Sequence, residues 1–253
     1  MFYNSLISAR IQNSLINFAM SKNRSTMCVQ LVNNILKYHI MKPLEKNVAE
    51  KLLKIKAVKL QPKNPFTWAS GWKSPIYCDN RKTLSYPAIR SFIKIEIARL
   101  VQEMYPEVEV IAGVATGAIA QGALVADALG LPFIYIRPTP KGHGLENLIE
   151  GDLRPGQKVV VIEDLISTGG SSLKAVEAIR KDGSEVLGMI AIFTYSFPVA
   201  EEMFKKAKVK LTTLCNYDAA LAEALATKYI TEEDMATLKE WRLKPSEWNN
   251  ELK

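Results

Sequence analysis

Two periodicities alternate along the chain. Unbroken β-branched runs such as Val159 to Ile162, bounded by Gly156 and Glu163, have no polar face and predict strands buried on both sides of a sheet. Val108–Val114, Pro132–Arg137, Glu185–Thr194 and Lys210–Cys215 read the same way. Between them apolar residues recur every three or four positions, the helical period. Leu44, Val48, Leu52 and Ile55 mark one helix. Ile89, Ile93, Ile97 and Leu100 mark a longer one, capped by Ser85 with Pro87 in its first turn. Thr116 and Gly117 open a helix that Gly130 stops, Ser172 begins another, and Pro198–Ala207 and Asp218–Tyr229 follow. Thr231 to Asp234 starts the last with a capping-box pattern. Repeated strand-helix order predicts an α/β fold, a mainly parallel sheet with helices on both faces. The stretch from Ala57 to Arg81 differs: Pro62, Pro65, Gly71 and Pro75 cut it into short pieces, predicting small antiparallel strands.

Composition narrows the class. With 253 residues, 48% hydrophobic, the chain can bury one sizeable α/β domain. A net charge of +7 admits polyanionic partners, but no Lys/Arg-rich run interleaved with aromatics suggests nucleic acid. Cys28, Cys78 and Cys215 are odd in number and far apart, which fits reduced thiols better than a disulfide framework and gives no zinc spacing. Apolar stretches fall short of a membrane span. Residues 1–40 contain Arg10, Lys22, Arg24 and Lys37 but no acid, a shift in composition that marks a boundary. Trp241 and Trp248 read as packing anchors.

The candidate chemistry lies where the Val159 strand ends. Glu163 and Asp164 follow it directly, at the strand end where open α/β sheets hold ligands. The turn Ser167-Thr168-Gly169-Gly170-Ser171 then offers N–H groups, hydroxyls and a helix N-terminus to an anion. Carboxylates accept hydrogen bonds from sugar hydroxyls, so the pair and the turn together suit a sugar phosphate. No Gly-Lys-Ser/Thr follows the glycines, which excludes a Walker loop, and no GxGxxG is present here. Thr116 and Gly117 form a second candidate anion site, or else a close helix packing that needs small residues. The long connection after Arg137, with Lys141, Gly142, His143 and Gly144, reads as a cationic lid over a phosphate-bearing substrate.

Three blocks carry a resemblance: FTWASGWKSPIYCDNR from Phe66, IRPTPKGHGLENLIEG from Ile136, and VVVIEDLISTGGSS from Val159. The last resembles the signature of the phosphoribosyltransferases that use phosphoribosyl pyrophosphate (PRPP). All three together resemble orotate phosphoribosyltransferase, from Lys42 to about Ser196. The resemblance implies a type I phosphoribosyltransferase fold with a hood at 41–84, a core at 85–215 and C-terminal helices at 216–253. It implies transfer of the 5-phosphoribosyl group of PRPP to orotate in pyrimidine synthesis, with Mg²⁺ held mainly by PRPP. Lys141, His143 and Asp164 are then catalytic. Arg137, Lys141, His143, Glu163, Asp164, Leu165, Ile166, Ser167, Thr168, Gly169, Gly170, Ser171, Thr116 and Gly117 bind PRPP. Ser167, Lys73, Phe66 and Tyr77 meet orotate.

The same resemblance implies a cytoplasmic homodimer with shared active sites. Residues 1–40 are then either a targeting segment or a stretch before a true start at Met41; the second fits better because the resemblance begins almost there. Two positions depart from the pattern: Pro138, where many relatives carry a second basic residue, and Tyr195, where some carry an orotate-contacting arginine. The alternatives are a transferase for another nucleobase and a non-catalytic PRPP- or nucleobase-binding regulator.

Overall fold

A computed structural model of the chain describes residues 43–68, 70–139 and 148–248. From Lys46 onward the chain forms one compact unit. Its centre is a six-stranded sheet. The strands are β5 (Val110–Val114), β6 (Phe133–Ile136), β7 (Ile149–Glu150), β8 (Lys158–Ile166), β9 (Glu185–Thr194) and β10 (Leu211–Asn216), in the order β10-β9-β8-β5-β6-β7. All pairings are parallel except that of the short edge strand β7 with β6.

Both faces of the sheet are covered. Val159 and Val161 join a core with Leu173, Val176 and Ile179 of helix α4 (Gly170–Lys181) and with Ala200 and Phe204 of α5 (Pro198–Lys206). Their neighbours Val160 and Ile162 are equally buried on the opposite side. That double burial is what an unbroken β-branched run requires. The mainly parallel α/β sheet expected from the sequence is therefore present.

Strand β8 runs four residues beyond the apolar run. Glu163, Leu165 and Ile166 stay in register with Ala191, Phe193 and Thr194 of β9. The two carboxylates interrupt the hydrophobic pattern but not the backbone ladder, because the partner strand continues alongside them. The two acids therefore sit on the sheet rather than on a turn.

Ahead of the sheet lie α1 (43–54) and four short strands in two antiparallel pairs. β1 (Val58–Leu60) pairs with β4 (Ile76–Cys78), and β2 (Phe66–Thr67) with β3 (Lys73–Ser74). A 3₁₀ helix, Asn80–Ser85, follows, so Ser85 ends that element instead of capping the next. Helix α2 (Pro87–Met104) begins after Tyr86 with no side-chain cap, and Pro87 presets its first turn. Helix α3 (Ile119–Leu129) ends at Gly130 in the left-handed conformation, φ 65°, which glycine adopts freely. Two helices close the described chain: α6 (Tyr217–Ala226), capped by Asn216, and α7 (Glu232–Leu243), where Thr231 and Asp234 form the expected reciprocal capping box.

Candidate active site

The strand order reverses between β5 and β8. From β5 the chain winds outward to β6, and from β8 it winds the other way to β9 and β10. Loops leaving the carboxyl ends of two such strands diverge and open a crevice, the usual ligand position of open α/β sheets. Here the crevice is a cleft of about 310 Å³. Thr116 and Gly117 line it from the turn after β5, Glu163, Asp164 and Leu165 from β8, and Asp79 and Arg81 from the segment after β4.

Asp164 is held on several sides. Gly117 packs so closely on its carboxylate that any Cβ at 117 would overlap the carboxylate atoms. From the segment after β4, the buried Asn80 donates Nδ2–H to the Asp164 carbonyl at 2.6 Å. Glu163 supports it from within: its Oε1 accepts the Asp164 backbone N–H at 2.9 Å, and its Oε2 accepts the Ser172 hydroxyl at 2.8 Å. Glu163 is only 4% exposed and has both oxygens engaged, so Asp164 is the more open carboxylate of the pair.

Burial raises both acids above the ordinary carboxylate range. Glu163 is pushed up to about 8, chiefly by desolvation and then by the charge on Asp164. Asp164 is also raised by burial, against opposing contributions from its hydrogen bond with Glu163 and from the Arg81 charge. Cys78 lines the same cleft, but burial first and Asp164 second push its thiol well up, so it stays protonated and is a poor nucleophile.

A second cleft of about 510 Å³ adjoins the first, sharing Val114, Ala115 and Ser171. Arg137, Gly170, Ser171 and Lys174 line it. Arg137 Nη1 lies 3.4 Å from Glu150 Oε1, which steadies its guanidinium at the rim. The turn 167–169 leads into α4 with Gly169 at φ 84°, a left-handed position that favours glycine. Gly169 also faces Phe204, which leaves little room for a side chain.

The clefts thus gather Thr116, Gly117, Arg137, Glu163, Asp164, Leu165, Gly170 and Ser171. Ser167, Thr168 and Gly169 stand beside them on the turn. Ile166 is different: its side chain is fully buried, its carbonyl accepts from Tyr195 N, and it lines neither cleft. Lys141 and His143 lie outside the described residues.

Phe66, Lys73 and Tyr77, on the short antiparallel strands, form a separate group. Phe66 and Tyr77 rings meet at 5.6 Å, and Lys73 Nζ donates to Thr67 Oγ1 at 2.9 Å, but none of these lines either cleft. Tyr195 is 2% exposed and packed among Trp68, Phe193, Phe197, Tyr217 and Trp241. It stiffens the core there and takes no part in the clefts. The sequence reading gave no role to Asp79, Asn80 or Arg81, although a polar triplet directly after an alternating strand was the visible signal.

Among the described residues no cluster of three or more His, Cys, Asp or Glu side chains could hold a metal by itself. The donor set suits a hard cation that brings most of its oxygens with a phosphate ligand and takes one or two carboxylates from the protein.

Paired acids at a switch point, beside a small-residue turn and a glycine-bearing helix start, define a sugar-phosphate transferase of the phosphoribosyl type. The family described as "Phosphoribosyl transferase domain" matches residues 88–223. Orotate phosphoribosyltransferase of Bacteroides thetaiotaomicron is 73% identical over 209 residues, 83% of this chain and 99% of that protein. The same enzyme of Porphyromonas gingivalis is 67% identical over 208 residues, 82% of this chain and 99% of its own. The crystal structure of orotate phosphoribosyltransferase from Aeropyrum pernix superimposes with a TM-score of 0.63 at 27% identity, covering 73% of this chain and 99% of that one. The chain belongs to the orotate phosphoribosyltransferase family.

Proposed function

We propose that this protein transfers the 5-phosphoribosyl group of PRPP to a nitrogen of orotate, releasing pyrophosphate and forming orotidine 5'-monophosphate for pyrimidine synthesis. The observation that carries the reading is the Asp164 carboxylate, fixed against Gly117 at the strand-order reversal in a chain so similar to named orotate phosphoribosyltransferases.

In this reaction the bond from the ribose to pyrophosphate breaks, positive charge grows on the ribose ring, and negative charge grows on the leaving group. Asp164 accepts from a ribose hydroxyl and sets a negative field beside the developing cation. Glu163 aids it by holding the Asp164 backbone and, when it swings from Ser172, by reaching the neighbouring hydroxyl. The turn 167–171 and the N-terminus of α4 grip the 5'-phosphate. Thr116 and Gly117 receive the pyrophosphate, with Arg137 and, on the strength of the family resemblance, Lys141 and His143 as cations. Ser167 and the hood residues Lys73, Phe66 and Tyr77 frame orotate. Asp164 would hold Mg²⁺ that arrives on PRPP, and the ion supplies charge neutralisation of the diphosphate. The working form is a cytoplasmic homodimer in which each subunit lends Lys141 and His143 to its neighbour.

Loss of orotate absorbance on mixing purified protein, PRPP and magnesium tests the reaction. No turnover by wild-type protein would sink it. Asp164→Asn should fold normally and slow turnover roughly a hundredfold or more, since it removes charge aligned on the transition state; near-normal turnover would remove Asp164 from its role.

A further inference from the structure

The first cleft has an imbalance of charge that the roles above leave unexplained. Asp79, Glu163 and Asp164 all line it, and Arg81 is the one cation among its described lining residues. Burial keeps a proton on Glu163, so Asp79 and Asp164 are the carboxylates here, and a diphosphate ester entering beside them meets repulsion unless a cation offsets it. The Arg81 side chain is 59% exposed at the cleft rim, and a neighbouring carboxylate sets its orientation. Its Nε–H donates to Asp79 Oδ1 at 2.7 Å, which orients the guanidinium plane. The segment that carries it is anchored by the next residue back: Asn80 Nδ2–H is bound to the Asp164 carbonyl, while the Asn80 carbonyl accepts from the buried Thr83 hydroxyl at 2.6 Å. The position of Arg81 is therefore tied to the position of Asp164 through one side chain.

The bond to Asp79 uses only Nε. The two terminal nitrogens carry the remaining N–H groups in the fork that suits two phosphate oxygens at once. Thr116 and Gly117 line the same cleft. We propose that Arg81 is a substrate-binding residue that clamps the diphosphate of PRPP, together with Thr116 and Gly117, and holds it as it leaves. This rests on the phosphoribosyl-transfer reading given above. Asp79 is then a positioning residue that acts through Arg81.

Arg81→Ala and Arg81→Lys test it with inorganic pyrophosphate and magnesium as the probe, titrated calorimetrically, alongside steady-state turnover. Loss of a charge-assisted, bidentate contact should weaken pyrophosphate binding about ten- to a hundredfold in Arg81→Ala and raise the KM for PRPP to match, with the KM for orotate unchanged. Arg81→Lys should recover part of that affinity, as a point charge without the fork. Asp79→Asn, which keeps an acceptor but removes the charge, should give a smaller change of the same kind. Unchanged pyrophosphate affinity in Arg81→Ala would overturn the proposal, leaving a surface ion pair. A raised KM for orotate alone would also overturn it, placing Arg81 on the base. If wild-type protein binds pyrophosphate but fails to turn over orotate, the reaction assignment falls while the binding comparison still decides Arg81. Should Arg81→Ala not fold, Arg81→Lys and Asp79→Asn carry the comparison.

Discussion

Glu163 shows how far a single residue type can be read and where the reading stops. The Glu-Asp pair after a buried strand was legible as a ligand site because such a strand has no other use for adjacent acids at its end. What the sequence did not show is the division of labour: Glu163 turns inward to Ser172 and to the Asp164 N–H, leaving Asp164 to face the cleft. Two positions in the chain do not say which way two side chains turn. Asn80 was opaque for a related reason, since its importance comes from contact with Asp164, distant in sequence; Gly117 had read as an anion site or a close packing, and the sequence did not show that it packs on Asp164. The inward turn has a measurable consequence. Glu163 is raised from 4.5 to about 8, so between those values the folded chain keeps a proton that the unfolded chain has released. Its contribution to stability is present at low pH and is lost as pH rises through the folded value, a change on the order of a few kcal/mol. Melting temperature followed from about pH 5 to pH 9 should therefore fall more in wild-type protein than in Glu163→Gln. The amide can still accept the Asp164 N–H and donate to Ser172. Equal slopes in the two proteins would rule out Glu163 as the source.

Among the elements, α7 was read correctly as a capped helix whose tryptophan packs. The Thr231–Asp234 box and the full burial of Trp241 agree with that reading. Local chemistry was enough for both, because a cap needs only four consecutive residues and a large indole seeks cover wherever it falls. Element lengths were less legible. The extension of β8 through Ile166 depends on β9 alongside, and the 3₁₀ helix at Asn80–Ser85 took in Ser85, which had read as the cap of the following helix. The destination of Trp241 was likewise out of reach of the sequence: its ring meets Trp68, Tyr195, Phe197 and Tyr217, and its indole N–H donates to the Lys73 carbonyl at 3.2 Å. Trp241→Ala should cost about 3–5 kcal/mol, read by denaturant unfolding. It should also raise the KM for orotate, because it releases the β2–β3 pair that carries Lys73. Trp241→Phe, which keeps a ring but leaves that carbonyl unpaired, should fall between. A variant as stable as wild type would show that α7 is dispensable.

For the molecule as a whole, the parallel α/β architecture and the position of the candidate clefts at the end of β8 were legible from strand-helix alternation and three motif blocks. Assembly was not, because a two-fold interface has no local signature in one chain. The proposed shared site makes a quantitative claim. Lys141→Ala and Asp164→Asn should each be inactive alone, yet a mixture should recover activity, because a mixed dimer has one site with both residues intact. With equal amounts and free exchange, about half the dimers are mixed, which gives roughly a quarter of wild-type activity by symmetry. If mixed dimers form and no activity returns, each lid serves its own chain.

The seat of Trp241 also bears on when a newly made chain first works. Lys73 is synthesised 168 residues before the indole that binds its carbonyl. At ordinary elongation rates that interval lasts roughly ten to thirty seconds. Throughout it the ring of Trp68 lacks the edge-on cover that Trp241 later gives. Once Asn216 has been made the chain carries all six strands of the sheet but still an open aromatic face, a surface prone to wrong association. A message truncated within α7 would yield chains that hold Asp164 and its cleft but leave Trp68 and the Lys73 carbonyl without their last partner.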